Sequence, residues 1–193
     1  MLLWAEEWSE SGTAKDPTRA ERGERPKKGN FMRRKEREIT DFSEIEAFLA
    51  SQKIMRVGFC DEGRVYIVPV NFGFESKDGK FLFYFHGARD GRKFSLIHKG
   101  GNVGFEIDAD YGTKSAEKAC DCTEFYASVI GDGKITEIEA NDEKKHALNR
   151  IMLSSTKKDG WNFPSVMLSR VGVFKIEADS VSCKMHKKLL AEK

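Results

Sequence analysis

The chain has 193 residues, of which 39% are apolar and 11% aromatic, enough to bury one hydrophobic core in a single domain. Its 33 basic and 31 acidic residues leave a net charge of +2, and this near balance argues against nucleic acid as a partner. No apolar run approaches the roughly 20 residues that cross a bilayer, and the acidic N-terminus does not resemble a signal peptide. We therefore predict a cytoplasmic protein with no membrane partner.

The four cysteines predict reduced thiols and no metal site. Cys120 and Cys122 are separated by one residue, whereas zinc-binding pairs usually have two residues between them. No second pair of Cys or His residues completes a set of four ligands. A redox role for Cys120 and Cys122 stays open beside the commoner role of inert thiols, and the other two cysteines, Cys60 and Cys183, carry no prediction.

The two ends of the chain differ in composition from the middle. Residues 1–31 are polar and charged and are interrupted by Pro17 and Pro26, so they predict a disordered leader. Met32 is a second candidate for the natural start. The predicted organisation is a leader (1–31), one folded domain (32–186) and a basic tail (187–193).

The folded part is predicted to begin with a helix after Asp41, because Glu44 follows three places later as in a capping box. Apolar residues then recur at helical spacing, at Phe42, Ile45, Phe48 and Leu49. Three strands follow, at 54–60, 64–75 and 80–86, with turns at 61–63 and 76–79. Pro69 removes a hydrogen-bond donor from the second strand, which predicts that this strand is an edge or is interrupted there.

The second half of the chain continues the β pattern. A short helix is predicted over 91–98, with a C-cap at Gly100-Gly101, and another helix from Asn141 or Asp142 to about Thr156. Strands are predicted at 102–108, 124–139 and 170–179, the second bent near Gly131 and Gly133. About six strands, mostly joined by tight turns, predict a mainly β fold: a small antiparallel barrel with peripheral helices.

The segment from His86 to Lys93 has the composition of an anion site. Its glycines allow close approach of the backbone, Arg92 and Lys93 add positive charge, and the helix that begins near Gly91 directs its positive end to the same place. The pattern is neither a Walker loop nor a dinucleotide fingerprint. An ordinary solvated connection with surface bases is the alternative.

Four segments, in this order and spacing, resemble the 5-nitroimidazole-resistance (Nim) family of flavoproteins, within the pyridoxamine 5′-phosphate oxidase-like superfamily. They are YIVPVNFGFE (66–75), FLFYFHGARDGRKFSLI (81–97), NVGFEID (102–108) and YASVIGDGKI (126–135). The resemblance covers about 32–186. It implies a split β-barrel homodimer that binds FMN between its subunits.

By position, the resemblance also implies the residues that contact the flavin. Val68, Pro69, Val70 and Asn71 would lie along the isoalloxazine edge, and His86, Gly87 and Ala88 near the ribityl chain and phosphate. Arg92 and Lys93 match the bases that hold the phosphate. Tyr126, Ser128 and Trp161 are further candidate contacts, the last one from the other subunit.

The function predicted from this resemblance is an FMN-dependent oxidoreductase. It would reduce a small electron acceptor, such as a 5-nitroimidazole, with reduced nicotinamide as a candidate donor. His86 is the candidate catalytic residue, although a structural or phosphate-binding role is favoured because no partner positions it for proton transfer. The alternative is a flavin- or haem-binding carrier or sensor, with His86 or His186 as the axial ligand.

Overall fold

The computed structural model describes residues 34–186, so the predicted leader and the basic tail lie outside the described residues. Seven strands and four helices, together with short 3₁₀ turns at Lys35–Arg37 and Ala119–Asp121, make up this part of the chain. In chain order the elements are β1 (Glu38–Ile39), α1 (Phe42–Ser51), β2 (Ile54–Asp61), β3 (Arg64–Lys77), β4 (Lys80–Gly87), α2 (Gly91–Lys99), β5 (Asn102–Lys114), β6 (Thr123–Glu137), α3 (Asn141–Thr156), α4 (Ser165–Arg170) and β7 (Gly172–His186).

The strands form one antiparallel sheet that closes on itself. Its order is β1-β7-β4-β3-β2-β5-β6, and β6 also pairs with β7. This closure makes a barrel with the helices outside it, which confirms the predicted fold class. Within residues 34–186, no helix combines the length and the apolar composition that a membrane span requires.

Short sequence patterns determine the start of α1 and the first two hairpin turns of the barrel. The Asp41 carboxylate accepts a hydrogen bond of 2.8 Å from the Glu44 amide, which confirms Asp41 as the N-cap of α1. The β2–β3 and β3–β4 turns are two residues long and have positive φ at both central positions, as a type I′ hairpin requires. Those central pairs are Glu62-Gly63 and Asp78-Gly79.

Strand β4 separates two apolar layers because its side chains alternate. Phe81, Phe83 and Phe85 are buried inside the barrel, as the alternation predicts. Tyr84 points to the other side and is buried beneath α3 and α4 with Leu168 of α4. The helices therefore cover the outer face of β4, so β4 packs against the barrel core on one face and against α3 and α4 on the other.

Strand β3 changes its neighbour halfway along its length. Residues 64–71 pair with β2, whereas residues 72–77 pair with β4. On the side away from β2, residues 64–71 have no paired strand among the described residues. Pro69 lies in this stretch, opposite Arg56, so the prediction that the strand is an edge at Pro69 is confirmed.

Several predicted boundaries were wrong. The cap of α3 is Ala140, which makes no side-chain cap, and neither Asn141 nor Asp142 occupies that position. Strand β7 continues to His186 because β6 pairs with it from Phe174 to its end, and β5 extends to Lys114 because it also pairs with β6. The two-residue strand β1 and the one-and-a-half-turn helix α4 were not predicted, since each is too short for a periodic pattern.

Helix α3 packs directly on the backbone of β3 at Gly73. A Cβ atom built on Gly73 would lie less than 3.0 Å from backbone atoms of Arg150 and Ile151, a separation that real Cβ atoms essentially never show. Backbone atoms at this contact cannot rotate away as a flexible side chain can. The absence of a side chain at Gly73 is therefore what allows α3 to cover the sheet.

We expect Gly73→Ala to lower the free energy of unfolding by about 1–3 kcal/mol, because the added methyl group forces α3 away from β3. Gly104→Ala is the matched control, since the nearest atom to a Cβ there is 3.9 Å away. Urea unfolding of both variants measures the difference. Equal stability of the two variants would contradict this account of the α3 contact.

Candidate anion and cofactor site

The turn between β4 and α2 lies at one end of the barrel, where two glycines face each other. Gly87 at the end of β4 pairs with Gly172 at the start of β7. Because opposed residues in an antiparallel pair share one face of the sheet, this pair leaves a space without side chains beside Phe85 and Phe174. The basic turn, residues 86–93, folds over that space.

The Lys93 ammonium group occupies part of this space. A Cβ atom on Gly87 would lie 2.5 Å from Lys93 Nζ, so the ammonium sits directly against the Gly87 backbone. It also lies 5.6 Å from the centre of the Phe85 ring. Burial lowers the pKa of Lys93, and no carboxylate within residues 34–186 pairs with it. A half-buried cation without an acid is suited to an anionic ligand.

Helix α2 begins beside this ammonium group. Gly91 has φ of +79°, a conformation that favours glycine and that turns the chain sharply into the helix. The N-cap residue Asp90 makes no side-chain hydrogen bond to the helix. The amide groups of the first turn therefore lack a side-chain cap, and the positive end of the helix dipole adds to the charge of Lys93.

The two arginines of the turn are held by different acids. Arg92 pairs with Asp61 through Nη2 at 3.0 Å and stacks over the Tyr66 ring at 4.4 Å. Arg89 Nε instead lies 3.2 Å from Glu137 Oε1 at the end of β6. Sequence reasoning named Arg92 and missed both Arg89 and Glu137. The Glu137 contact spans 48 residues, so no local pattern signals it.

The predicted flavin-edge residues follow the unpaired stretch of β3. Pro69 and Asn71 are exposed, Val68 is half-buried and Val70 is buried in the core. The Asn71 side-chain amide donates to the Lys53 carbonyl at 3.2 Å. Backbone groups on the free side of this stretch are therefore available to a ligand, which is the kind of contact that was predicted.

His86 stands where β3 and β4 diverge. The last β3–β4 pair is Phe72 with Phe85, so the next residues along, Asn71 and His86, are not paired with each other. The His86 side chain is exposed at the surface. Desolvation by the protein around it and then repulsion from Lys93 lower the pKa of His86, so its imidazole is neutral at neutral pH. Ala88, two residues further along, is exposed.

An apolar cavity of about 220 Å³ opens beside the His86 side chain. Residues of α3, of α4 and of the segments around α4 form its walls: Leu148, Ile151, Met152, Phe163, Met167, Leu168 and Val171. His86 is the one titratable side chain among them. This cavity has room for a small ring next to a neutral imidazole.

Three predicted contacts lie away from the basic turn. Tyr126 and Ser128 pair with His186 and Lys184, near the opposite end of β7 from Gly172. Trp161 lies in the α3–α4 loop, where its indole N–H donates to the Lys158 carbonyl at 3.1 Å. Tyr126 and Ser128 therefore lie apart from the basic turn, and the predicted flavin contacts of all three residues stay predictions.

The residues of the turn fit a phosphate-bearing cofactor. The cradle at Gly87 would be filled by any Cβ, the Lys93 charge has no carboxylate partner among the described residues, and α2 starts without a side-chain cap. A larger cavity of about 670 Å³, between α1, α3 and β3, contains none of the predicted site residues. We therefore place the candidate site at the basic turn.

Most of the described chain matches one known protein family. A family model described as pyridoxamine 5′-phosphate oxidase matches residues 41–185, from the N-cap of α1 to nearly the end of β7. No curated protein matches the chain.

Solved structures share the same fold. A candidate 5-nitroimidazole antibiotic resistance protein from Bacteroides thetaiotaomicron is 30% identical, over 76% of this chain and 85% of that chain, with a TM-score of 0.65. The FAD and heme binding protein from Mycobacterium smegmatis is 15% identical, over 81% and 77% of the two chains, with a TM-score of 0.66. The flavocytochrome Anf3 from Azotobacter vinelandii is 17% identical, over 84% and 75%, also with a TM-score of 0.66.

The predicted resemblance is confirmed by the extent of the family match and by the similarity to the Bacteroides protein. This chain belongs to the pyridoxamine 5′-phosphate oxidase family.

Proposed function

We propose that the chain binds FMN and acts as an oxidoreductase of the Nim type, reducing a small electron acceptor such as a nitroaromatic compound. The observation that carries this proposal is the Lys93 ammonium group, which is half-buried against Gly87 and has no carboxylate partner in the described residues. The family match and the similarity to the Bacteroides protein support a flavin as the ligand.

Different residues would bind the phosphate and the ring of such a cofactor. Lys93 and the uncapped amides of α2 would bind the phosphate, and the free edge of β3 over 68–71 would meet the ring through its backbone. The flavin supplies the electron transfer when it is bound, while the chain binds and orients it. Reduced nicotinamide is the donor that we propose.

The cavity beside His86 is the proposed place for the acceptor. Its apolar walls exclude water from a small ring, and its single polar group, the neutral imidazole, can donate one hydrogen bond to an acceptor atom. A nitro group offers such oxygen atoms. His86 would then contact the substrate directly and act as a catalytic residue, whereas the sequence favoured a structural or phosphate-binding role for it.

We expect Lys93→Met to weaken FMN binding by about 1.5–3 kcal/mol, because the variant loses a charge-assisted contact to the phosphate. Lys99→Met is the matched control, since Lys99 is in the same helix but pairs with Asp61 at 3.4 Å. Fluorescence titration with FMN measures both affinities. Loss of affinity in the control but not in Lys93→Met would place the phosphate elsewhere.

The protonation of His86 provides an independent test of its position. Lys93 repels the imidazolium form, so Lys93→Met should raise the pKa of His86. The pKa should still stay below the usual histidine range, because burial is the larger cause and remains. Titration of the imidazole C–H signals by NMR, with His86→Gln for assignment, checks both points. An unchanged pKa would show that the two side chains are not neighbours in solution.

We also propose that two copies of the chain associate through the outer face of β2, β3, β5 and β6. Val65 and Ile67 on β3 are 75% and 60% exposed, and Ile54 and Ile130 on β2 and β6 are also exposed. The register places Ile67 opposite Gly58, which in turn faces Gly104, so no side chain separates Ile67 from β5. The ion pair of Arg56 with Glu106 lies on the same face and borders these apolar residues. Exposed apolar patches of this kind mark interaction surfaces.

Ile67→Glu should convert a dimer to a single chain, because it places a charge in an apolar interface. Light scattering coupled to gel filtration measures the mass, which is 21.9 kDa for one chain. Val166→Glu is the control, because Val166 is 61% exposed but lies on α4. A single-chain mass for the unmodified protein would rule out the dimer.

A haem-binding carrier or sensor is the second candidate. Two histidines, His98 and His146, are held by glutamates through Nε2, whereas His186 is held through Nδ1 by the Glu124 carbonyl and His86 makes no hydrogen bond within the described residues. Neutral His86 and the Nε2 of His186 are therefore the imidazole groups that remain for an axial ligand. A Soret band on haem titration, lost in His86→Ala or His186→Ala, would favour this function.

A further inference from the structure

A buried carboxylate lies under the basic turn, at the last residue of β6. The Glu137 side chain is 5% exposed. Its Oε2 lies 2.8 Å from His98 Nε2 in the last turn of α2, and its Oε1 lies 3.2 Å from Arg89 Nε in the basic turn. Oε1 has no aligned hydrogen bond in the described residues, so the Arg89 contact is held by charge. One carboxylate therefore ties the basic turn to the far end of α2.

Arg89 and Lys93 approach the same pair of glycines. A Cβ atom on Gly172 would lie 3.3 Å from Arg89 Cγ, and a Cβ atom on Gly87 would lie 2.5 Å from Lys93 Nζ. Gly87 and Gly172 face each other in the sheet, and Cβ atoms in such a pair are about 5 Å apart. The stem of one cation and the head of the other thus lie on the same small surface.

Arg89 still has hydrogen-bonding capacity in this position. Its nearest contact with Glu137 is through Nε, and neither Nη atom makes a hydrogen bond within residues 34–186. The side chain is 41% exposed. A guanidinium group anchored through Nε presents its remaining N–H groups in a fixed fork, which suits two oxygens of a phosphate.

Arg92, in contrast, is committed elsewhere. Its Nε and Nη2 both contact Asp61 Oδ2, at 3.1 and 3.0 Å, and its guanidinium covers the Tyr66 ring. These contacts hold α2 against the β2–β3 hairpin. Moving Arg92 to an anion would break an ion pair and a cation–π contact together.

We propose that Arg89 is the second cation of the phosphate site beside Lys93, and that Glu137 is the positioning residue that holds it there. This inference rests on the proposed flavin function and names the part of the ligand that is recognised, a terminal phosphate monoester. Arg92 is then a structural residue of α2.

The test compares two flavins that differ by the phosphate alone. We measure the Kd of FMN and of riboflavin for the full chain and for Arg89→Met, Glu137→Gln and Arg92→Met. Arg89→Met should weaken FMN binding by about tenfold or more, as loss of a charge-assisted contact does, and should leave riboflavin binding unchanged. Arg92→Met should leave the ratio of the two constants unchanged. A larger loss of FMN affinity in Arg92→Met than in Arg89→Met would overturn the inference.

The ratio of the FMN and riboflavin dissociation constants also tests the role of Glu137, because a general loss of structure would weaken the binding of both flavins equally. In the otherwise unmodified chain, Glu137→Gln should weaken the binding of FMN but not that of riboflavin. In the Arg89→Met variant, adding Glu137→Gln should cause no further loss of FMN affinity. Equal losses for FMN and riboflavin, in Arg89→Met or in Glu137→Gln, would show a structural role and overturn the proposal for that residue.

Inorganic phosphate separates this inference from the flavin proposal. At constant ionic strength, phosphate in place of chloride should raise the Tm of the unmodified chain, and most of this shift should be lost in Arg89→Met but kept in Arg92→Met. If no flavin binds and the phosphate shift still depends on Arg89, the flavin proposal fails and the anion site stands. If flavin binds and neither test depends on Arg89, the inference fails and the flavin proposal stands. If neither ligand binds, both fail.

Discussion

The exchange of partners along β3 is the constraint on which the site depends. The strand pairs with β2 up to Asn71 and with β4 from Phe72 onward. An antiparallel barrel could close without this change, but it would then leave no unpaired edge at that point. Because β3 separates from β4 there, the unpaired stretch of β3 lies next to the end of β4, which carries His86 and leads into the basic turn. Pro69, which cannot donate to a neighbouring strand, is compatible with that open edge.

Three glycines allow a helix and two basic side chains to approach the sheet closely. At Gly73 the backbone of α3 rests on the sheet, and at Gly87 and Gly172 two cations rest on the barrel end. Each contact needs the space that a Cβ would occupy. The same residue type therefore allows helix packing along the middle of α3 and ligand access at the start of α2.

Acidic partners give the three cations of the basic turn different roles. Asp61 holds Arg92 at the surface of α2, Glu137 holds Arg89 from below, and Lys93 has no carboxylate in the described part of the chain. The basic turn therefore carries three different cations: Arg92 is paired at the surface, Arg89 is held through Nε, and Lys93 has no carboxylate partner among the described residues. The composition of the turn alone could not distinguish them.

Much of the fold followed from local patterns: the cap at Asp41, the glycine-bearing hairpin turns, and the alternation that buries Phe81, Phe83 and Phe85. These features depend on near neighbours in the chain, so the sequence by itself determined them, together with the basic turn and its family resemblance. The tertiary structure alone decided which strands β3 and β6 meet, how far they pair, and that Glu137 lies beneath Arg89. Those contacts join residues far apart in the chain, and their energies depend on burial and pairing that no short pattern encodes.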